Sequence, residues 1–157
     1  MEMAFQTNGF MDLLKIVVVE SNEGYVEMHM PITEELYQPM MIVHGGATLA
    51  LLESAASYGA ANNTDPERER AFGVNVNVNH RKSAREGMLR GIARLNRKEG
   101  QKIYWDVVAY DDEGDVVSEG SVLTLTVSLE RLAEKGRATP KGTKDGSKAA
   151  LDPSPMS

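Results

Sequence analysis

Apolar and polar positions change rhythm several times along the chain, and each rhythm predicts an element. Residues 15–20 are rich in β-branched side chains, Ser21-Asn22-Glu23-Gly24 carries turn chemistry, and Val26, Met28 and Met30 then alternate with Glu27 and His29. That period of two predicts a hairpin with one buried face. From 47 to 61 alternation gives way to a proline-free run rich in Ala and Leu, too long for a buried strand, which predicts a central helix. A polar loop over 62–70 follows, then four β-like stretches at 72–80, 88–96, 103–110 and 116–128. Ahead of all these, residues 8–14 offer Asn8 as a cap with Phe10, Leu13 and Leu14 on one side, a short amphipathic segment expected to pack on the core.

The connections constrain how these elements meet. Residues 97–102 and Asp111-Asp112-Glu113-Gly114 are short, so their flanking strands are antiparallel neighbours and one meandering sheet is expected. A single helix over such a sheet is a two-layer α+β domain. This helix is apolar on nearly every side, which predicts a second cover beyond the sheet and hence dimerisation.

Composition narrows the picture. At 157 residues, 41% hydrophobic and 25% charged, the chain suits one folded domain. Residues 1–130 hold 11 Lys+Arg against 20 Asp+Glu, while residues 131–157 hold 6 against 3. The first segment is assigned as the domain, and the second, without apolar period, as a flexible tail. A net charge of −6 argues against nucleic acid and anionic membrane as partners, since both reward a basic face. The absence of cysteine excludes disulfides, thiolate metal sites and a cysteine nucleophile. No basic leader or membrane-length apolar run is visible near the start, so a cytoplasmic location is expected.

One charged side chain, Glu53, stands between Pro39 and Ala61, flanked by Leu49, Leu51, Leu52, Ala55 and Ala56. Most glutamates on helices simply face water. A carboxylate in greasy surroundings is instead costly, and desolvation favours its neutral form, which suits a base or nucleophile working near neutrality. Gly45 and Gly46 precede the helix, where open N–H groups at its positive end can hold an oxyanion or merely permit a tight turn. Ser57 lies four residues after Glu53, on the same face. Gly45 and Glu53 are eight residues apart, roughly 12 Å along a helix. One carbonyl cannot touch both within one chain, so an enzyme using both needs at least a two-fold dimer.

Further along, Arg81, Lys82 and Arg85, with Arg90 and Arg94, make a basic island in an acidic domain, fit for a phosphorylated ligand or for a solvated turn. Asn75, Asn77 and Asn79 share one strand face, lining a cleft or facing water. His29, His44 and His80 lack metal-ligand spacing. Phosphate-loop, nucleophile-elbow and dinucleotide fingerprints are absent from the sequence.

Gln38-Pro39, His44-Gly45-Gly46-Ala47, Leu52-Glu53-Ser54 and Ser57 together resemble, in order and spacing, the signature of PaaI-type hotdog thioesterases. The segment Asn77-Val78-Asn79-His80-Arg81-Lys82-Ser83-Ala84-Arg85-Glu86-Gly87 is similar to the branch containing 1,4-dihydroxy-2-naphthoyl-CoA and other aryl-CoA thioesterases. The resemblance covers residues 8–128 and implies a hotdog fold, with one long helix on a curved antiparallel sheet of five to six strands. It implies an acyl-CoA substrate, no metal or other cofactor, and a homodimer at least, with a homotetramer as dimer of dimers. Glu53 would be nucleophile or general base, with Gly45 N–H on the thioester oxygen. Gln38 and His44 would position the carbonyl, and Ser57 would orient Glu53 or water. His80, Arg81, Lys82 and Arg85 of a neighbouring subunit would hold coenzyme A. Lys82 stands where that branch has Arg, a point charge instead of a planar fork. Glu rather than Asp at position 53 points to the aryl-acyl side. The alternative is an acyl-CoA-binding module without turnover; a hydratase of this fold ranks last, because His44 has no partnered Asp.

Overall fold

The computed structural model describes residues 9–138. A single helical turn α1 (Phe10–Leu13) leads into the hairpin of β1 (Val17–Asn22) and β2 (Tyr25–Pro31); a 3-10 turn (Glu34–Leu36) precedes the central helix α2 (Gly45–Asn62). Then come β3 (Glu69–His80), β4 (Met88–Glu99), β5 (Lys102–Tyr110), β6 (Val116–Ser128) and the helix α3 (Leu129–Ala138). Gly24, with φ of 76°, turns the β1–β2 hairpin in a conformation that favours glycine.

All strand pairs are antiparallel, and the six strands run in the order β1-β2-β4-β5-β6-β3. Only β4-β5-β6 is the meander that short turns predict. β3 departs from it because the chain leaves β2 through α2 and re-enters the sheet beside β6, pairing Phe72 with Leu125 and His80 with Ser118. That crossover makes β3 an edge strand of twelve residues next to the helix.

The core lies between α2 and the inner sheet face. Val26, Met28, Met30, Leu89, Ala93, Trp105 and Ala109 supply the strand side, and Leu51, Leu52, Ala55, Ala56 and Ala60 the helix side, all essentially without solvent contact. Each fully buried Leu or Met contributes roughly 1.5–3 kcal/mol. Small residues let the layers approach closely: Leu51 sits over Gly91, and Gly59 lies against Trp105, whose Nε1–H donates to Thr124 Oγ1 at 3.1 Å. At the far end of α2, Asn63 Nδ2 donates to the Gly59 carbonyl and Thr64 Oγ1 to that of Ala61, so two of the last carbonyls are satisfied.

Two terminal expectations differ from the structure. Phe10 and Leu13 are exposed, while Leu14 and Ile16 just beyond them are buried; α1 is one turn long, so its residues cannot form a continuous apolar stripe. Asn8 lies outside the described residues, and Gly9 occupies the cap position. At the other end, α3 crosses the boundary drawn at residue 130, with Arg131 N–H on Ser128 Oγ at 3.3 Å; residues 139–157 of the assigned tail lie outside the described residues. Among the described residues no helix is long and apolar enough to cross a membrane.

Candidate active site

The loop before α2 is built to present the helix start. Gln38 N–H donates to the Ile42 carbonyl and Met41 N–H to that of Gln38, with Met41 at a φ of 60°, and Gln38 Oε1 accepts the Met40 N–H. The carboxamide oxygen is thus engaged in its own loop, and the amide NH2 has no hydrogen-bond partner among the described residues. His44 caps the helix in extended conformation, its Nδ1 accepting the Gly46 N–H at 2.8 Å. That bond makes Nδ1 the unprotonated nitrogen of the neutral ring. With Gly46 N–H taken, Gly45 N–H at the first helical position has no hydrogen-bond partner among the described residues.

A cleft of about 320 Å³ opens at this end, lined by Gln38, Gly45, Thr48, His80, Arg81 and Lys82 among others. His80 comes from the end of β3, its Nδ1 2.7 Å from the Oγ of fully buried Ser118 on β6. The other ring edge meets the helix: a Cβ placed on Gly45 would stand 2.7 Å from His80 Nε2. Gly45 is therefore needed for the close approach of an imidazole, a use of glycine that permits contact where a side chain would collide.

Glu53 is not in this cleft. It is half-buried two turns further along α2, against β3, where a Cβ on Gly73 would be 2.6 Å from its Oε1. Ser57 follows one turn later, also half-buried. Gln38, Gly45, His80, Arg81 and Lys82 are thus brought together within one chain, with His44 capping beside them; Glu53 and Ser57 are set apart on the same helix.

The basic residues differ in what they are free to do. Lys82 Nζ bonds Asp111, Asp115 and Glu113 at 2.6, 2.7 and 2.9 Å. These bonds, Asp111 first, hold the ammonium well above the usual lysine range, while Lys82 in turn draws the Asp111 carboxyl below its ordinary value. The three carboxylates present oxygens within 4.8 Å of one another, and Lys82 serves as their shared counter-ion. Arg81 pairs with Glu119 at 3.2 Å. Arg85 is exposed, and its guanidinium has no ion-pair partner among the described residues; only its carbonyl is used, by Tyr37 OH. Arg90 and Arg94 lie over the rings of Tyr110 and Tyr25 on the outer sheet face, away from the cleft. Asn75, Asn77 and Asn79 are all exposed, and Asn79 borders a shallow depression on that outer face.

Three contributors escaped the sequence reading. Thr48 is buried in the cleft wall one turn after Gly45, and Ser118 meets His80 from 38 residues away, for which the chain carries no local signal. Gly73 did carry one, a glycine inside a β-branched run, which marks a bulge or a close approach.

Residues 40–118, half the chain and the part that carries α2, β3 and the cleft apart from Gln38, match the family model described as thioesterase superfamily. The chain belongs to the thioesterase superfamily. As a member it is a thioester hydrolase with the hotdog fold. It is 34% identical over 103 residues to the putative esterase ComA2 of Bacillus subtilis, covering 66% of this chain and 82% of that protein. To the 1,4-dihydroxy-2-naphthoyl-CoA hydrolase of Listeria monocytogenes it is 30% identical over 104 residues, covering 66% and 84%. The crystal structure of a variant of thioesterase PA1618 from Pseudomonas aeruginosa superposes with a TM-score of 0.75 at 26% identity, covering 78% of this chain and 88% of that one. The resemblance drawn from the motifs and the two-layer architecture therefore stand.

Proposed function

We propose that this thioesterase hydrolyses acyl-CoA thioesters, aromatic ones foremost, at sites shared between two copies of the chain. The observation that carries the reading is the division of labour along α2: Gly45, with its open N–H, faces the cleft, while Glu53 faces β3. Eight residues of helix separate them by roughly 12 Å, more than one thioester carbonyl spans. The edge strand β3 supports the way the halves combine. It exposes an unpaired rim beside α2, with Phe72 and Val74 about half-exposed, and an exposed apolar edge is a template for another chain. Two-fold pairing there sets Glu53 of one copy toward the Gly45 cleft of the other; a dimer of such dimers is the assembly expected.

In this scheme Gly45 N–H holds the thioester oxygen as it becomes an oxyanion, aided by the free amide of Gln38. Glu53 either takes a proton from an attacking water or attacks the carbonyl carbon itself to give a mixed anhydride that water then hydrolyses; in both routes the C–S bond breaks and the thiolate of coenzyme A leaves and is protonated. In a single turnover in heavy-oxygen water, label entering the enzyme carboxylate marks the covalent route. His44, held at the helix start, and Ser57, one turn beyond Glu53, border the reacting group in the assembled site. Of the basic set, Arg85 is the one available to phosphates, because Arg81 is paired with Glu119 and Lys82 is bonded to three carboxylates. His80 lines the path of the pantetheine arm. The aromatic preference follows the similarity to the naphthoyl-CoA hydrolase.

The test is thiol release across aromatic, branched and straight-chain acyl-CoAs, compared as kcat/KM. Aromatic thioesters are expected to lead, and Glu53→Ala to lose nearly all turnover. Full activity in Glu53→Ala would overturn the assignment of the carboxylate.

A further inference from the structure

Glu53 is seated by an irregularity in the facing strand. Along β3 the register with β6 runs evenly from Glu69 opposite Ser128 to Gly73 opposite Thr124, then slips, so that Asn75 is opposite Leu123 and Val74 is the extra residue of a bulge. The slip shifts the side-chain alternation by one. Ala71 before it and Val76 and Val78 after it pack toward the core, so the helix-facing line reads Ala71, Gly73, Val76, Val78. An unbroken strand would place inward side chains at every second residue; here the interval is stretched and its one inward residue has no side chain. The result is a notch, and Glu53 fills it: a Cβ on Gly73 would meet Oε1 at 2.6 Å and Cδ and Cγ at 3.4 Å. Gly73 is not at positive φ, so its backbone does not require glycine. The space does.

We propose that Gly73, with the bulge at Val74, is a positioning residue that fixes where the Glu53 carboxylate stands and sets the side-chain length the site accepts. The inference rests on the reading that Glu53 is catalytic. A Cβ at position 73 forces Oε1 back by about 1 Å to reach ordinary contact near 3.5 Å. Aspartate at 53 withdraws its carboxylate by about one C–C bond, roughly 1.5 Å. Each change alone misplaces the acid, and together they partly compensate.

The experiment uses the full chain and whichever of benzoyl-, isobutyryl- or hexanoyl-CoA the wild type turns over fastest. Gly73→Ala is expected to lower kcat on the order of 10²-fold, with KM within about twofold. Gly73→Ala/Glu53→Asp is expected to exceed the product of the single effects by at least about tenfold. A wild-type kcat in Gly73→Ala, or strictly multiplicative losses, overturns the proposal. Thermal unfolding gives a readout free of turnover: Gly73→Ala lowers Tm in the Glu53 background and not in Glu53→Ala, and equal shifts in both overturn it even if Gly73→Ala is too unstable to assay. The two readings separate cleanly. Activity retained in Glu53→Ala removes the catalytic reading while the Tm cycle still reports the seating; an inactive Glu53→Ala beside a wild-type Gly73→Ala removes only the notch.

Discussion

Replacing Gly45 by alanine tests whether the imidazole of His80 and the start of α2 form one rigid unit. The substitution keeps the backbone N–H proposed to hold the oxyanion, and alanine is by propensity a better helix residue by about 1 kcal/mol. Against that, the new Cβ would stand 2.7 Å from His80 Nε2, 3.1 Å from Cε1 and 3.3 Å from Cδ2. Ordinary contact is near 3.5–4.0 Å, so the ring must retreat by about 1 Å. It cannot do so freely, because its far nitrogen is 2.7 Å from Ser118 Oγ. A retreat of that size strains or breaks the bond. Ser118 is fully buried, and leaving its hydroxyl unsatisfied costs about 1–3 kcal/mol. The propensity gain offsets part of this, so the net stability loss is expected to be up to about 2 kcal/mol. The effect on turnover is larger, since a displacement of about 1 Å in a reacting site typically costs about 10²-fold. The assay is kcat/KM by thiol release alongside thermal unfolding, in Gly45→Ala, Ser118→Ala and the double variant. Releasing the ring by Ser118→Ala should make Gly45→Ala less costly to stability. Wild-type activity and Tm in Gly45→Ala would refute the reasoning, and additive Tm shifts would refute the link through Ser118.

Gly59→Ala drives a Cβ to 2.5 Å from Cη2 of buried Trp105; overpacking of about 1–3 kcal/mol outweighs the helix-propensity gain, and a lowered Tm by differential scanning calorimetry is expected, a rise being the contrary result. Glu27 is buried on the outer sheet face, and its hydrogen bond with His29, followed by that from Tyr25, holds its carboxyl below the ordinary value despite the opposing effect of burial. A depressed folded value means that its stabilisation is present above the unfolded value of about 4.3 and is lost as pH falls through the folded one. Glu27→Gln should therefore cost about 1–3 kcal/mol at neutral pH and flatten the acid limb of denaturant-derived stability; an unchanged acid limb contradicts the attribution. Arg85→Ala is expected to raise KM for acyl-CoA more than Lys82→Met does, with the difference shrinking at high salt; the reverse order in steady-state kinetics would show that Lys82 leaves its carboxylates to bind phosphate.

Much of the fold was legible because it rests on local periodicity. The hairpin, the long helix and the last three strands follow from alternation, run length and glycine turns, and β6 spans 116–128 as predicted while α2 extends the expected 47–61 at both ends. The isolated carboxylate Glu53, the His44-Gly45-Gly46 start and the basic island were likewise visible as residue types in an unusual context. Less visible was what each does. Among the five basic residues of the island, Lys82 is bonded to three acids from the β5–β6 turn and Arg90 and Arg94 stack on tyrosines of the outer face, partners that lie many residues away in sequence.

By itself, then, the sequence determined the elements and the chemical inventory, because hydrophobic period and turn chemistry act over a few residues and a lone acid in a greasy helix is conspicuous in one dimension. It also made a shared site the expectation for an enzyme that uses both Gly45 and Glu53 on one carbonyl, since eight residues of helix have a fixed length. Only the tertiary structure decided that β3 lies beside β6 at the edge, that His80 rests on Gly45 and Ser118, and that Gly73 makes room for Glu53. These depend on the crossover through α2 and on a one-residue slip in register, and neither leaves a mark on the local pattern beyond a single glycine.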